Sequence, residues 1–146
     1  MTRLLLTLLL CWFGASAGVA PQEPGSPTFA AFDVFVDSGN KALGAWQFEW
    51  VVKAGNAKIV GVEGGAAAAF AQAPYYDPAA LQSGRIVIAA FSTQKDLPVG
   101  RTRIARVHLL IGSGASPQFE VQLHACADGQ GEPLAATVAW QKMESK

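Results

Sequence analysis

The segment Leu43 to Lys53 places Trp46, Phe48 and Trp50 on one side of an extended chain and Gln47 and Glu49 on the other. Successive side chains of a strand point to opposite faces, so this alternation marks a β-strand with one face in a core. Three large aromatics on one such face require a second apolar layer to cover them. The pattern recurs along the chain. Phe32 to Val36 is a β-rich run ended by the turn residues Asp37-Ser38-Gly39-Asn40, and Ala54-Gly55-Asn56 leads into a third run, Lys58 to Glu63.

Downstream, Arg85 to Ser92 is apolar on both parities, with Ile86, Ile88 and Ala90 against Val87, Ala89 and Phe91, as expected of a central strand or one with an outward apolar face. Leu97-Pro98-Val99-Gly100 is a turn. In Arg101 to Ile111 the residues Ala105, Val107, Leu109 and Ile111 are expected inside, and Ile104, Arg106, His108 and Leu110 outside. Phe119, Val121, Leu123 and Ala125 repeat the pattern opposite Glu120, Gln122, His124 and Cys126, and Ala136 to Gln141 forms the last strand. Between these runs, the alanine-rich Ala66 to Ala73 reads as irregular or a short edge strand. Asp77 before Pro78 predicts a capped helical turn, since the carboxylate can accept from a backbone N–H and proline fits the first helical position. The alternative for Asp77, a metal ligand, lacks neighbouring carboxylates. The sum is an all-β, jelly-roll-like β-sandwich of about nine strands spanning 29–142.

The first 17 residues assign a compartment. Arg3, an apolar run from Leu4 to Phe13 and Ala15-Ser16-Ala17 read as a secretory signal peptide with cleavage after Ala17. The run is too short to span a bilayer, and no second one follows, so no membrane insertion is expected after cleavage. Cys11 lacks the small residue that a lipoprotein signal places before its cysteine. Gly18 to Thr28, with three prolines, reads as a flexible leader, and 143–146 as a polar tail. The expected destination is extracytoplasmic: periplasm, cell surface or medium.

About 129 residues remain after cleavage, enough for one domain. The whole chain carries eleven basic and eleven acidic residues, and losing Arg3 leaves it near −1. Nucleic-acid binders and membrane-surface proteins show a basic excess instead, so neither partner is expected. Without Cys11, Cys126 is the only cysteine, so no intrachain disulfide can form, and a buried inert thiol is expected.

Catalytic and metal chemistry are thinly supplied. His108 and His124 fall on outward parity of separate strands and with Glu120 compose a candidate zinc set, against the expectation of solvated strand histidines. Ser92-Thr93 has no nearby base, and no Gly-x-Ser-x-Gly elbow or phosphate loop is present. Asp33, Asp37, Glu49 and Glu63 sit at strand edges or turns, where solvation accounts for them. The expectation is a non-enzyme without cofactor or metal. Arg85, Arg101, Arg103 and Arg106 cluster on two runs that can lie close in a sheet, and arginine is enriched at protein interfaces.

The order of the runs carries a resemblance. Asp33-Val34-Phe35-Val36-Asp37 precedes Leu43-Gly44-Ala45-Trp46-Gln47-Phe48-Glu49-Trp50. Lys58-Ile59-Val60-Gly61-Val62 and Gly84-Arg85-Ile86-Val87-Ile88-Ala89-Ala90 follow, then Leu97-Pro98-Val99-Gly100 and Arg103-Ile104-Ala105-Arg106-Val107-His108-Leu109. This resembles the cohesin family and its relatives among bacterial carbohydrate-binding sandwiches. One departure is that Val52 to Asn56 stands where cohesins place a Tyr-Asp-Pro turn. The resemblance implies a secreted module that binds a protein partner through one sheet face. The residues expected to contribute are Arg85, Val87, Arg106 and His108. The alternative is a carbohydrate-binding module that stacks polysaccharide on Tyr75, Tyr76 and Trp140.

Overall fold

A computed structural model describes residues 25–144. The expected signal peptide, the leader up to residue 24 and residues 145–146 lie outside the described residues. Eight strands form: β1 (Thr28–Ala42), β2 (Ala45–Ala54), β3 (Ala57–Gly64), β4 (Tyr75–Tyr76), β5 (Arg85–Phe91), β6 (Val99–Ile111), β7 (Gln118–Ala127) and β8 (Thr137–Lys142). They compose two antiparallel four-stranded sheets, ordered β3-β6-β1-β8 and β4-β5-β2-β7. The described residues therefore form an all-β sandwich, with eight strands where about nine were expected, one of them only two residues long. Among the described residues no helix is long and apolar enough to cross a membrane.

Except between β4 and β5, each strand lies in the opposite sheet from the one before it. The period-two alternation explains why two sheets face each other, though not which strands share a sheet. Each strand has one apolar face, and facing sheets bury both faces in a single layer between them. Trp46, Phe48 and Trp50 of β2 lie in that layer with Phe32, Val34 and Val36 of β1, Ile86 and Ile88 of β5, and Val107 and Leu109 of β6. Phe32 is edge-on to Phe119 and to Trp140, with ring centroids 5.0 and 5.7 Å away. Burying each such side chain contributes roughly 1.5–3 kcal/mol. The indole N–H groups of Trp46 and Trp50 are buried without a partner among the described residues, a cost offset by this packing.

Bulges and irregularities shift the strand registers at five places, and two of them move side chains that the simple alternation had assigned. The β1–β6 register passes from Val34↔Ala105 to Phe35↔Arg103, leaving Ile104 as an extra residue. Ile104 and Ala105 are consequently both fully buried, so the outward position expected for Ile104 is corrected. Likewise the β2–β7 register passes from Gln47↔Ala125 to Phe48↔Leu123, skipping His124. Beyond that point the parity reverses: Cys126 is buried opposite Trp46, and Ala125, expected inside, is exposed.

The connecting segments follow their local chemistry. Asp77 caps a 3₁₀ turn over Pro78–Ala80 by accepting from the Ala79 N–H at 2.9 Å. The alanine-rich segment, expected irregular or as an edge strand, holds a 3₁₀ turn at Ala68–Phe70, and Phe70 anchors it in the core. Gly44 links β1 to β2 where a side chain has no room, since a Cβ there would overlap the Asp128 backbone.

Candidate functional site

The outer face of β3-β6-β1-β8 is held by its own ion pairs. Strand register lines up Glu63, Arg106, Asp33 and Gln141 across the sheet. The Arg106 guanidinium donates through Nε and Nη2 to the two carboxylate oxygens of Asp33 at 2.7 and 3.2 Å. That hydrogen-bonded pairing raises the Arg106 pKa against the opposing effect of burial, with the charges of Asp33 and Glu63 adding to it. His108 Nε2 lies 2.8 Å from Glu63 Oε1. Arg103 donates to the Gly64 carbonyl at 3.2 Å, and Arg101 sits over the Phe35 ring at 3.7 Å. Each of these side chains already has its counterpart within the face.

The outer face of β4-β5-β2-β7 is different. One row across it is Tyr75, Ala89, Gln47 and Ala125, and the next is Phe91, Ala45 and Ala127. Four methyl side chains make a floor, and the aromatic rings rise beside it. Tyr75 and Phe91 stack with centroids 6.0 Å apart and planes within 10°. They remain 67% and 64% exposed, which is unusual for side chains of this size. The floor and this aromatic wall enclose a shallow apolar groove of about 240 Å³. A more polar groove of about 260 Å³ lies against the same two rings, lined by Gln72, Ser92, Thr93 and Gln94 among others.

Farther along the face, Val87 lies beside Glu49, and Gln122 follows in the same row. Glu49 is nearly buried. Its Oε1 is 2.5 Å from Arg85 Nε, placed as an ion contact rather than an aligned hydrogen bond, and its Oε2 is 3.5 Å from His124 Nε2. Lys53 and Glu120 pair at 3.0 Å at the margin. The Lys53 hydrogen bond, then that of Gln122, holds the Glu120 pKa below the usual carboxylate range. A carboxylate between a guanidinium and an imidazole offers acid–base groups on this face.

The structure separates residues that the sequence reading grouped. Arg85 and Val87 lie on β5, whereas Arg106 and His108 lie on β6, in the other sheet and on the opposite outer face. These four do not form one surface, and Arg85 is likewise remote in sheet topology from Arg101, Arg103 and Arg106. His108 and His124 also belong to opposite sheets, so the candidate zinc set with Glu120 is not assembled. Among the described residues no group of three or more His, Cys, Asp or Glu is placed to hold a metal. Of the aromatic set, Tyr75 is on the exposed face, while Tyr76 packs against the core. Trp140 is turned inward at the rim of the sandwich against Phe32, Trp50 and Phe119.

The sequence reading missed Phe91 and the alanine floor. Phe91 shares the parity of Arg85, Val87 and Ala89, and that outward apolar parity was its signal. Fold and surface together define a two-layer antiparallel β-sandwich with one ion-paired face and one apolar, aromatic-walled face. No protein-family model, curated protein or solved structure matches the chain.

Proposed function

We propose that this chain is an exported, non-catalytic protein-binding module of cohesin-like type that engages its partner through the outer face of β4-β5-β2-β7. The observation that carries the reading is the flat alanine floor beside the exposed Tyr75–Phe91 pair, with Val87 and Arg85 on the same face. Methyl groups leave a strand surface level enough for another backbone to approach. Exposed aromatics and arginine supply the anchors typical of interface centres. The opposite face supports the choice, because Arg103 and Arg106 are largely shielded in their contacts there, whereas Arg85, though paired with Glu49, keeps its side chain 70% exposed. The motif order resembling cohesins and the expected signal peptide support the same reading.

Polysaccharide binding is the second reading, favoured by the free Tyr75 ring next to the polar groove. It draws on the single stacked pair Tyr75–Phe91 rather than the expected Tyr75, Tyr76 and Trp140, since Tyr76 and Trp140 pack against the core.

The test is capture by the immobilised chain from secreted and envelope fractions of its source, with insoluble polysaccharides in parallel. A saturable protein partner is expected, lost with Tyr75→Ala plus Phe91→Ala or with Ala89→Arg, and kept with His108→Ala on the other face. Retention on polysaccharide that depends on Tyr75 would replace this reading with the second. Protein capture unaffected by all three β4-β5-β2-β7 substitutions would overturn it.

A further inference from the structure

The four outer edges of the sandwich are not equally protected. On β3, Ile59 donates its N–H to the Ser83 carbonyl at 2.9 Å and accepts from the Gln82 N–H at 2.7 Å, so a loop closes that edge. β4 is only two residues long. β7 is bulged at His124, and its end is covered by the returning chain, where the Leu134 N–H donates to the Cys126 carbonyl at 2.8 Å. Loops, short strands and bulges are the devices that keep sheet edges from pairing with other chains.

Among the described residues β8 shows none of them. Thr137 to Lys142 pairs with β1 in unbroken register, without proline or bulge, and Lys142 at its end is its only charged residue. The Met143 N–H donates to the Ala31 carbonyl at 2.9 Å. By the alternation of an antiparallel ladder, the amides and carbonyls of Val138, Trp140 and Lys142 then point away from β1. Trp140, on this edge, is still 41% exposed.

We propose that β8 pairs antiparallel with β8 of a second copy of this chain about a two-fold axis at Ala139, joining two four-stranded sheets into one of eight. In this register Val138 lies opposite Trp140 of the other copy. Both belong to the inner side, so the two apolar layers become continuous and the free part of the indole is covered. Ala139 meets itself on the outer side, where a small residue fits, and Thr137 meets Gln141. Lys142 falls opposite Ala136, away from its own symmetry mate. Shifting the register by two residues either sets Lys142 against Val138 or shortens the ladder. Self-complementarity of this kind is what a two-fold interface requires. The edge is separate from the face proposed for partner binding, and the inference does not rest on that reading.

Sedimentation and light scattering of the purified chain over a dilution series test it. The expected mass rises from one chain to two with concentration. Thr137→Lys with Gln141→Lys sets two pairs of lysines opposite each other across the interface and should weaken association by about tenfold or more. Both positions are exposed, and both lie beside aspartates of β1, so the fold itself should hold. Mixing that variant with Thr137→Glu plus Gln141→Glu should restore a dimer of the two. Ala139→Arg, which crowds the axis, should also give a single chain. A wild-type chain that stays single at every concentration overturns the proposal, and so does a dimer indifferent to these substitutions.

Discussion

Arg106 and Asp33, 73 residues apart in sequence, face each other across β6 and β1 and share two hydrogen bonds. The pair is about four-fifths shielded from water, and both ends of the fork are used. Such a contact is worth more than a surface ion pair, because removing one member leaves the other poorly solvated. Arg106→Ala should lower stability by about 1–3 kcal/mol in urea unfolding. Arg106→Lys should fall between, since it keeps the charge and loses the planar fork. Under the proposed function neither change should alter partner capture, because that face is not the one in contact.

Trp140 and Tyr75 are both substantially exposed, yet they are expected to behave oppositely. Trp140 packs on Phe32, Trp50 and Phe119, so Trp140→Ala should cost about 2–4 kcal/mol in thermal or urea unfolding. Tyr75 contacts the Phe91 ring from an exposed two-residue strand, and Tyr75→Ala should cost under about 1 kcal/mol. Equal losses at the two sites would contradict the packing described.

Burial pushes the Cys126 thiol pKa above its ordinary value. Desolvation disfavours the thiolate, which is the reactive form, so at neutral pH less of it is present than in a free cysteine. Alkylation followed on the Cys126 peptide should therefore be slow in the native protein. Its rise should come at higher pH than for the denatured chain. Native and denatured rates that coincide at pH 7 would rule out the buried placement.

At Gly44 the limit is space. Its N–H donates to the Ala127 carbonyl at 2.8 Å, and its own carbonyl accepts from the Ser92 N–H at 2.8 Å. Gly44→Ala sets a methyl group against the Asp128 backbone, which cannot move without breaking this junction. A loss of about 2 kcal/mol or more is expected, read as a lower urea midpoint.

Much of the strand pattern was legible because period-two alternation is a local property. Trp46, Phe48 and Trp50 were assigned to the core from spacing alone, and the Asp77–Pro78 turn from capping chemistry. Ile104 and Ala125 were assigned to the wrong side, and Cys126, expected as a buried thiol, is buried although strand parity alone pointed it outward. A bulge is decided by how two distant strands share hydrogen bonds, and no single strand records it. The candidate site was half legible: Arg85, Val87 and Tyr75 lie on the apolar face, whereas Arg106 and His108 do not.

Side-chain alternation and turn residues, which depend on neighbours within a few positions, determined from the sequence that this chain forms a layered all-β domain with an aromatic core. Which strands become neighbours was decided only by the tertiary structure. Consecutive strands mostly alternate between sheets, so β5 and β6 stand back to back although they follow one another in the chain. That crossing separates Arg85 from Arg106 and His108 from His124. It also brings Ala45, Ala89 and Ala125 from three separate segments into one surface, because the apolar faces of all eight strands must share a single buried layer.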